Sequence, residues 1–166
     1  MGVAIRLLGT DDVEAFRTVR LEALRTESAS FASSAEDWEG LSAEEWRGRM
    51  VDASVFVAFR GDVPVGIMGL MRQRASKMAH RATLVMVYVH QEQRGTGLAK
   101  RLLETVADHA RKAGIKQLEL AVSAENVVGA RFYERQGFAE VGRIPGGFLH
   151  EGREIDDVLM VRRIAD

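Results

Sequence analysis

The stretch "VYVHQEQRGTGLAKRLLETVADHARKAG", residues 87–114, decides the fold of this chain. It begins at the end of an apolar run, breaks at Arg94-Gly95-Thr96-Gly97, and continues with apolar residues at helical spacing. A strand that gives way to a helix through a glycine-bearing turn leaves several backbone N–H groups unpaired at the start of the helix. Because these groups and the aligned peptide dipoles favour an anion, the stretch predicts a phosphate-binding turn.

Three kinds of phosphate-binding turn compete for this pattern. A Walker A loop requires Ser or Thr after its lysine, but Lys100 is followed by Arg101. A dinucleotide fingerprint is half met by Gly95-Thr96-Gly97, with Glu119 about twenty residues further on, but Lys100 stands where its third glycine should be. The third kind is an anion site on the free N–H groups alone, with added positive charge from Arg94 and Lys100. The alternative to all three is that the glycines only form a tight turn.

The elements on both sides of the turn have strong local signals. Residues 82–89 form a continuous apolar run, which predicts a strand covered on both faces. The helix after the turn carries its apolar residues on one side and ends at Gly114, a suitable C′ residue. Its predicted buried residues are Leu98, Leu102, Leu103, Val106, Ala107 and Ala110.

Two helices are predicted in the first third of the chain. Asp11 with Glu14 resembles a capping box, which opens a helix that runs to about Arg25. Ser42 and Glu45 form a second capping box at the start of a shorter helix. The segment between the two helices is rich in Ser and Ala, and it is expected to be a loop.

The remaining strands are predicted from short apolar segments. Residues 54–60 and 63–71 flank a turn that contains Gly61, which is typical of a β-hairpin. Alternation of strand and helix in the second half of the chain predicts a mixed α/β (α+β) fold, in which helices pack on a sheet. We expect residues 1–166 to form one domain. The other predicted strands are residues 3–8 and 115–122, and a closing antiparallel pair, 138–144 and 156–164.

Composition restricts the class of protein. The 166 residues are 46% hydrophobic and 28% charged, as in a soluble globular domain. A formal net charge of −1 indicates no attraction to nucleic acid or to an anionic membrane. Cysteine is absent, which excludes disulfides, thiolate zinc sites and a cysteine nucleophile, and we expect no bound metal. Because neither a signal peptide nor a bilayer-spanning apolar run is visible, we expect a cytoplasmic protein.

Two motifs occur together in the second half of the chain. Residues 94–99 match the pattern R/Q-x-x-G-x-G/A, and residues 126–138, "NVVGARFYERQGF", lie on a short predicted helix that Gly137 stops. The pair resembles the two signatures of the GCN5-related N-acetyltransferase (GNAT) family, and the order of elements fits over essentially the whole chain. The second signature corresponds to Asn126, Ala130, Phe132-Tyr133 and Gly137-Phe138. The resemblance implies a GNAT-like fold: a central, mostly antiparallel sheet of six to seven strands, splayed fourth and fifth strands, and about four flanking helices.

The resemblance implies acetyl-CoA as the donor substrate. Its pyrophosphate would lie on the N–H groups of the glycine turn, and its pantetheine arm would pair with the fourth strand. A backbone N–H of that strand would polarise the thioester carbonyl. The implied donor-binding residues are Val87, Tyr88, Val89, Arg94, Gly95, Thr96, Gly97, Leu98, Ala99, Lys100, Asn126 and Phe132.

Tyr133 matches the position of the general acid in this family. A departing thiolate needs a proton, and a phenol with an ordinary pKa of about 10 can donate one while it stays un-ionised at neutral pH. The alternative is that Tyr133 is a packing aromatic on a short helix. In the same way, Asn126 either caps the helix or binds the pantetheine arm, and Phe132 either packs or touches the ligand.

The general base and the acceptor site remain open. The fourth strand contains no carboxylate, and such folds usually form the acceptor site from the first helical region and the last hairpin. In this chain that region includes Phe31 and Ser33, and the acidic and aromatic residues Glu27, Phe31 and Trp38 would suit a small amine. The candidate bases, none of them assigned, are Glu27, His80, Glu119, Glu125, Asp156 and Asp157.

The function that the resemblance implies is acetyl-CoA-dependent N-acetyl transfer. The acceptor would be a primary amine of a small molecule or protein, which attacks directly in a ternary complex. Because the fourth strand has no carboxylate, a non-catalytic acyl-CoA-binding domain is the alternative, and another nucleotide-dependent enzyme is the third. Amino acids, polyamines, antibiotics and protein amines all stay open as acceptors, and a homodimer is compatible with the family.

Overall fold

The computed structural model describes residues 2–166, which form seven strands and five α-helices. The strands are β1 (Val3–Leu7), β2 (Ser54–Arg60), β3 (Val63–Arg72), β4 (Arg81–Val89), β5 (Gln117–Ser123), β6 (Ala139–His150) and β7 (Arg153–Arg163). The helices are α1 (Val13–Thr26), α2 (Ala35–Glu39), α3 (Ala43–Asp52), α4 (Leu98–Lys112) and α5 (Val127–Arg135). None of the helices in this described range has the length and apolar character needed to cross a membrane.

All seven strands belong to one sheet, in the order β1-β2-β3-β4-β5-β7-β6. Every neighbouring pair is antiparallel except β4 and β5, which are parallel. These two strands pair only from Arg81 opposite Gln117 to Thr83 opposite Glu119, and the rest of β4 has no partner on that side. The predicted mixed fold with splayed fourth and fifth strands is therefore confirmed.

Helices cover both faces of the sheet. The apolar side of α4 packs on one face, in a core with Leu84 of β4, Leu118 of β5 and Met160 of β7. The other face is covered by α1, α2 and α3, and Tyr88 of β4 belongs to that second core. The continuous apolar run of β4 is explained by this arrangement, because alternate side chains enter different cores.

The structure contains five helices where about four were expected. The additional one, α2, lies in the segment that the sequence predicts as a loop. Ser34 is its N-cap, and the Ser34 hydroxyl accepts a hydrogen bond from the Asp37 amide. The helix buries Trp38 against Phe16 and Trp46. Five residues carry too little periodicity to indicate a helix, so the tertiary packing of Trp38 determines this element.

The helix caps agree with the sequence in one case of two. At α3, Ser42 and Glu45 form the predicted capping box, with hydrogen bonds of 3.1 and 3.2 Å. At α1 the expected box of Asp11 and Glu14 was wrong. A short 3₁₀ turn comes first, and the carboxylate of Asp12 accepts the Gly9 amide at 2.8 Å and binds Arg6.

The closing hairpin is longer than the sequence predicts. Its strands β6 and β7 are separated only by Glu151 and Gly152, so most of residues 145–155, which lie between the two predicted strands, also belong to the sheet. The pairing register shifts between Ile144 and Phe148, and Gly146 adopts a positive φ of 57° there. Pro145, Gly146 and Gly147 lie in this segment. Because proline and glycine are rare inside strands, the sequence did not predict a strand there.

Candidate active site

A cleft of about 620 Å³ opens where β4 and β5 separate. It is bounded by the second half of β4, the turn before α4 and the helix α5. Of the thirteen residues predicted for the site, twelve line this cleft, namely Val87, Tyr88, Val89, Arg94, Gly95, Gly97, Leu98, Ala99, Lys100, Asn126, Phe132 and Tyr133. The exception is Thr96, whose hydroxyl donates a hydrogen bond to the Gln93 carbonyl and so closes the turn.

The turn before α4 presents free backbone amides to the cleft. The Arg94 amide donates to the Gln91 carbonyl at 3.2 Å, and the Thr96 amide donates to the Gln93 carbonyl at 3.4 Å. Within residues 2–166, the amides of Gly95 and of residues 97–100 have no backbone acceptor. A compact anion held by several such amides at a helix N-terminus is a recurring arrangement in proteins.

The two glycines of the turn are required by its backbone conformation. Gly95 has φ of 78° and Gly97 has φ of 84°, a left-handed region that other residues enter only with strain. A Cβ atom at either position would meet no atom within 4 Å. Tight-turn formation and exposure of the amides are therefore two results of the same geometry, and the two interpretations do not compete.

The charge around the turn is distributed unevenly. Arg94 forms an ion pair with Glu27, which follows α1, and its Nε lies 3.4 Å from the Val89 carbonyl oxygen. The charge of the Arg94 guanidinium is thus partly neutralised, and its two contacts link the end of α1 to the end of β4. Lys100 is exposed and in no ion pair within the described residues, so it contributes the less compensated positive charge beside the free amides.

A β-bulge reorients the main chain of β4 at the cleft. Val85 lies opposite Gly69 and Tyr88 lies opposite Ile67, so one extra residue is inserted in β4, and Met86 has a positive φ of 57°. A Cβ on Gly69 would lie 2.6 Å from the Met86 methyl carbon and 2.9 Å from Cγ2 of Val85, so a larger residue there would force both side chains to move. This bulge is not predicted from the sequence, in which Gly69 of the neighbouring strand is its one local signal.

Beyond the bulge, a backbone amide of β4 points into the gap. The His90 amide donates to the Val65 carbonyl of β3 at 2.8 Å. Because successive amides of a strand point to opposite sides, the Val89 amide is directed away from β3. The edge of β4 that faces the cleft therefore offers main-chain hydrogen-bonding groups, as an added strand or an extended ligand requires.

Tyr133 forms part of the cleft wall from within the core. Its side chain is 8% exposed, and its ring lies 5.4 Å from the ring of Phe132 and 5.7 Å from the ring of Phe138. Burial raises the pKa of the Tyr133 hydroxyl well above its ordinary value. The hydroxyl thus stays protonated over a wide pH range, and the residue is a packing aromatic that also lines the cleft.

Most of the candidate bases lie away from the cleft, and two of these are held in ion pairs. Glu119 binds Arg81 at 2.6 and 2.7 Å, and Glu125 binds Arg153, and each arginine lowers the pKa of its partner carboxyl. Burial raises the pKa of Asp157, which lies on β7 outside the cleft lining. His80 and Asp156 also lie outside that lining, so Glu27 is the one sequence-predicted base on the cleft wall.

A second cleft of about 610 Å³ lies next to the first, along the first half of β4. It is bounded by α1, α3, the first half of β4 and Ala121 of β5, and it shares Ser30 and Phe31 with the first cleft. Phe31, Ser33 and Trp38, which the sequence places near an acceptor, all line it. Residues 144–154 of the last hairpin line neither cleft, contrary to the expectation from the resemblance.

These features agree with a comparison to known proteins. Residues 19–138, well over half of the chain, match the acetyltransferase (GNAT) family. This chain belongs to the GNAT family. The matched range contains the glycine turn, the unpaired half of β4 and Tyr133, so the resemblance predicted from the two motifs is confirmed.

Curated GNAT relatives match the chain over part of their length. An L-methionine sulfoximine/L-methionine sulfone acetyltransferase of Salmonella typhimurium (strain LT2) is 30% identical over 74 residues, which are 45% of this chain and 43% of that protein. The N-alpha-acetyltransferase 30 of Saccharomyces cerevisiae is 26% identical over 91 residues, 55% of this chain and 52% of that protein. The chain thus spans about half the length of the curated relatives it matches.

Solved GNAT structures match the fold over nearly the whole chain. The acetyltransferase of the GNAT family from Streptococcus pneumoniae gives a TM-score of 0.86 at 22% identity, over 99% of this chain and 100% of that chain. The acetyltransferase yncA from Salmonella typhimurium, solved with its cofactor acetyl-CoA, gives 0.83 at 20% identity, over 100% and 96%. At these identities the similarity establishes the fold.

Asn126 caps helix α5 in this GNAT chain, as the sequence predicts. Its side-chain oxygen accepts the Gly129 amide at 2.9 Å, and the residue also lines the first cleft. We expect Asn126→Ala to lower the free energy of unfolding by about 1 kcal/mol, because the amide loses its acceptor. Asn126→Asp keeps an acceptor and should retain wild-type stability in urea denaturation. Equal stability of the alanine variant would contradict a stabilising cap.

Proposed function

We propose that this protein is an acetyl-CoA-dependent N-acetyltransferase, which moves the acetyl group to a primary amine by direct attack in a ternary complex. The observation that carries the proposal is the row of free amides at Gly95 and residues 97–100, on the same cleft as the buried hydroxyl-bearing Tyr133. Membership of an acetyltransferase family supports the reaction class. The cleft is large enough to hold the reactive arm of a nucleotide-linked thioester.

The donor would bind along two neighbouring parts of the chain. The pyrophosphate would accept hydrogen bonds from the free amides of the turn, with Lys100 adding positive charge. The pantetheine arm would lie along the unpaired edge of β4 at residues 87–89, with Asn126 and Phe132 on the opposite wall. In this arrangement the hydrogen bond of the Thr96 hydroxyl to the Gln93 carbonyl closes the turn. The ion pair with Glu27 holds Arg94 beside it.

The chemical step would use the main chain of β4 and the hydroxyl of Tyr133. A β4 amide such as that of Val89 would polarise the thioester carbonyl and stabilise the oxyanion that forms when the amine attacks. As the tetrahedral intermediate collapses, the C–S bond breaks and the coenzyme A thiolate takes the proton of the Tyr133 hydroxyl. The attacking neutral amine loses one proton to solvent water, and the tyrosinate takes one proton back from water, so that the net products are the amide and free coenzyme A.

One observation favours a second candidate function. The strand β4 carries no carboxylate, and Glu27, the candidate base on the cleft wall, is held by Arg94. A non-catalytic acyl-CoA-binding domain would need the same turn and cleft but no base. The two functions differ in one measurable respect, since only the enzyme accelerates the release of free coenzyme A when an amine is added.

The names of the relatives leave the acceptor class undecided between two kinds of amine. Some relatives are named for methionine sulfoximine and methionine sulfone, and another is named as an N-alpha-acetyltransferase. A small amino-acid derivative and a protein N-terminus are therefore both in the proposed range. We also propose a cytoplasmic location, and binding of neither nucleic acid nor membrane, consistent with the net charge of −1.

The nucleotide preference gives the first test. At a concentration about a hundredfold above its dissociation constant, acetyl-CoA should raise the melting temperature by about 5–10 °C, since a ligand that binds only the folded state stabilises it. NAD and ATP at the same concentration should cause no comparable shift. A shift with NAD instead of acetyl-CoA would show that the turn serves a different nucleotide.

The reaction itself is tested by coenzyme A release. Acetyl-CoA is incubated with a panel of amino acids, polyamines, aminoglycosides and short peptides, and the free thiol is measured with a chromogenic disulfide. The proposed enzyme should accelerate release with at least one amine above the rate without protein. A protein that is stabilised by acetyl-CoA but releases no thiol with any amine would be the binding domain instead.

A further inference from the structure

Arg20 is a cation that the fold holds almost completely out of water. It lies on α1 with 4% of its surface exposed, and its guanidinium carbon is 4.6 Å from the ring centre of Trp38 and 5.1 Å from that of Phe31. Its Nε and Nη1 atoms are fully buried and have no hydrogen-bond partner in the described part of the chain. Buried charges in proteins are normally paired and hydrogen-bonded, so this side chain lacks a partner.

The surroundings of Arg20 are positively charged rather than neutralised. Burial and, to a lesser extent, the positive charge of Arg49 together lower the pKa of Arg20 to about 10. Arg49 also lies over Trp38, at 4.3 Å from the ring centre. Asp52, the carboxylate on this cleft, is more than half exposed and faces Arg74 at 3.4 Å. The aromatic contacts offset only part of the cost of burying the charge.

The position of Arg20 relates it to the reaction centre. It lines the second cleft together with residues 83–86 of β4, and the first cleft begins at Val87 of the same strand. Phe31 lines both clefts and covers the guanidinium. A molecule in the second cleft would therefore approach the acetyl group along β4, and a rotation of the Phe31 ring would open the guanidinium to it.

We infer that Arg20 is the binding group for a negatively charged substituent of the acceptor, and that the acceptor is a small amine bearing a carboxylate, such as an α-amino acid. The inference rests on the proposed function and specifies the substrate class of its second cleft. A guanidinium offers a planar pair of donors that matches a carboxylate, and the bound anion would supply the missing partners. Arg20 and Arg49, which both lie over the ring of Trp38, would also repel polyamines and other cationic acceptors.

The wild-type protein gives the first test. Coenzyme A release is measured with a series of L-α-amino acids, each beside its α-carboxamide, which keeps the size and the amine but removes the negative charge. We expect kcat/KM to favour the carboxylates by about a hundredfold or more, because an unpaired buried charge is left when the neutral analogue binds. Equal turnover of acids and amides, or preference for the amides, would overturn the inference.

A substitution of Arg20 locates the effect at this residue. Arg20→Met keeps the apolar stem and should abolish the preference for carboxylates, mainly through KM, while acetyl-CoA still stabilises the protein. Its melting temperature should not fall, since replacement of a buried unpaired charge by an apolar residue of similar length is often neutral or stabilising. Arg20→Lys retains the charge without the planar fork and should show an intermediate preference.

The controls separate this inference from the proposed function. Arg49→Met removes an exposed cation from the same ring and should reduce the preference for carboxylates far less than Arg20→Met does. If Arg20→Met retains the wild-type preference, Arg20 is only a packing residue and the inference is overturned, although the transferase remains. If no amine of any charge releases coenzyme A from the wild-type protein, the proposed function itself is overturned.

Discussion

Tyr133→Phe lowers kcat by about a hundredfold or more while the affinity for acetyl-CoA stays near that of the wild type, if the hydroxyl protonates the leaving thiolate. The expected loss follows from the usual contribution of a positioned general acid. The ring already packs between Phe132 and Phe138, so phenylalanine keeps the aromatic contacts and removes one oxygen atom. Steady-state coenzyme A release and acetyl-CoA titration measure the two quantities separately.

The pH dependence of this variant provides a second check. Because burial raises the pKa of Tyr133, the protonated form that donates the proton persists to a higher pH than for a tyrosine in water. We therefore expect no fall in wild-type rate that is due to Tyr133 below about pH 10. An alkaline fall near neutral pH that disappears in Tyr133→Phe would contradict this assignment.

Tyr88→Phe is the matched comparison, because the chain contains only two tyrosines. The hydroxyl of Tyr88 lies 3.4 Å from the hydroxyl of Thr26, on the side of the sheet that α1 covers. Its removal should reduce kcat far less than removal of the Tyr133 hydroxyl. Equal losses in the two variants, or unchanged kcat in Tyr133→Phe, would remove Tyr133 as the acid.

Ala99→Glu weakens acetyl-CoA binding by about tenfold to a few hundredfold, since its carboxylate would lie within a few ångströms of the bound pyrophosphate. Ala99 is the second residue of α4 and lines the first cleft, beside the free amides. The same substitution should leave the unliganded protein as stable as the wild type or slightly more stable, because an acidic residue in the first turn complements the helix dipole. Opposite changes in stability and affinity cannot arise from a folding defect.

The matched control for this variant is Ala99→Gln, which has nearly the same size and shape without the charge. Glutamine should weaken binding much less, and the difference between the two variants should shrink as salt is added, since charge interactions near the surface are screened. Isothermal titration with acetyl-CoA at two salt concentrations measures both effects. Equal affinities of the two variants would place the pyrophosphate away from the start of α4.

Much of the donor side was predictable because its signals are local. The turn is encoded by Gly95 and Gly97, the strand before it by a continuous apolar run, and α4 by apolar residues at helical spacing. The Asn126 cap lies within one turn of the amide that it accepts. Each of these signals is read within a few residues, so no knowledge of distant contacts was needed.

The surroundings of the second cleft were less predictable because their contacts join distant parts of the chain. The helix α2 is too short to show a period, and it is stabilised by the packing of Trp38 on Phe16 and Trp46. The helical spacing predicts burial of Val19 or of the stem of Arg20, but it does not indicate that the guanidinium of Arg20 is buried as well. Its burial beneath Phe31 and Trp38 becomes visible once α1 and α2 pack together.

By itself, the sequence determined the family, the mixed sheet and the glycine turn, because backbone conformation and hydrophobic period depend on neighbouring residues. Tertiary structure alone decided which groups meet: Tyr133 shares a cleft with the free amides, Glu27 pairs with Arg94, and two buried nitrogens of Arg20 have no hydrogen-bond partner among the described residues. Burial and charge pairing are set by residues far apart in the chain, and these two quantities determine the proton affinity and binding preference of each group.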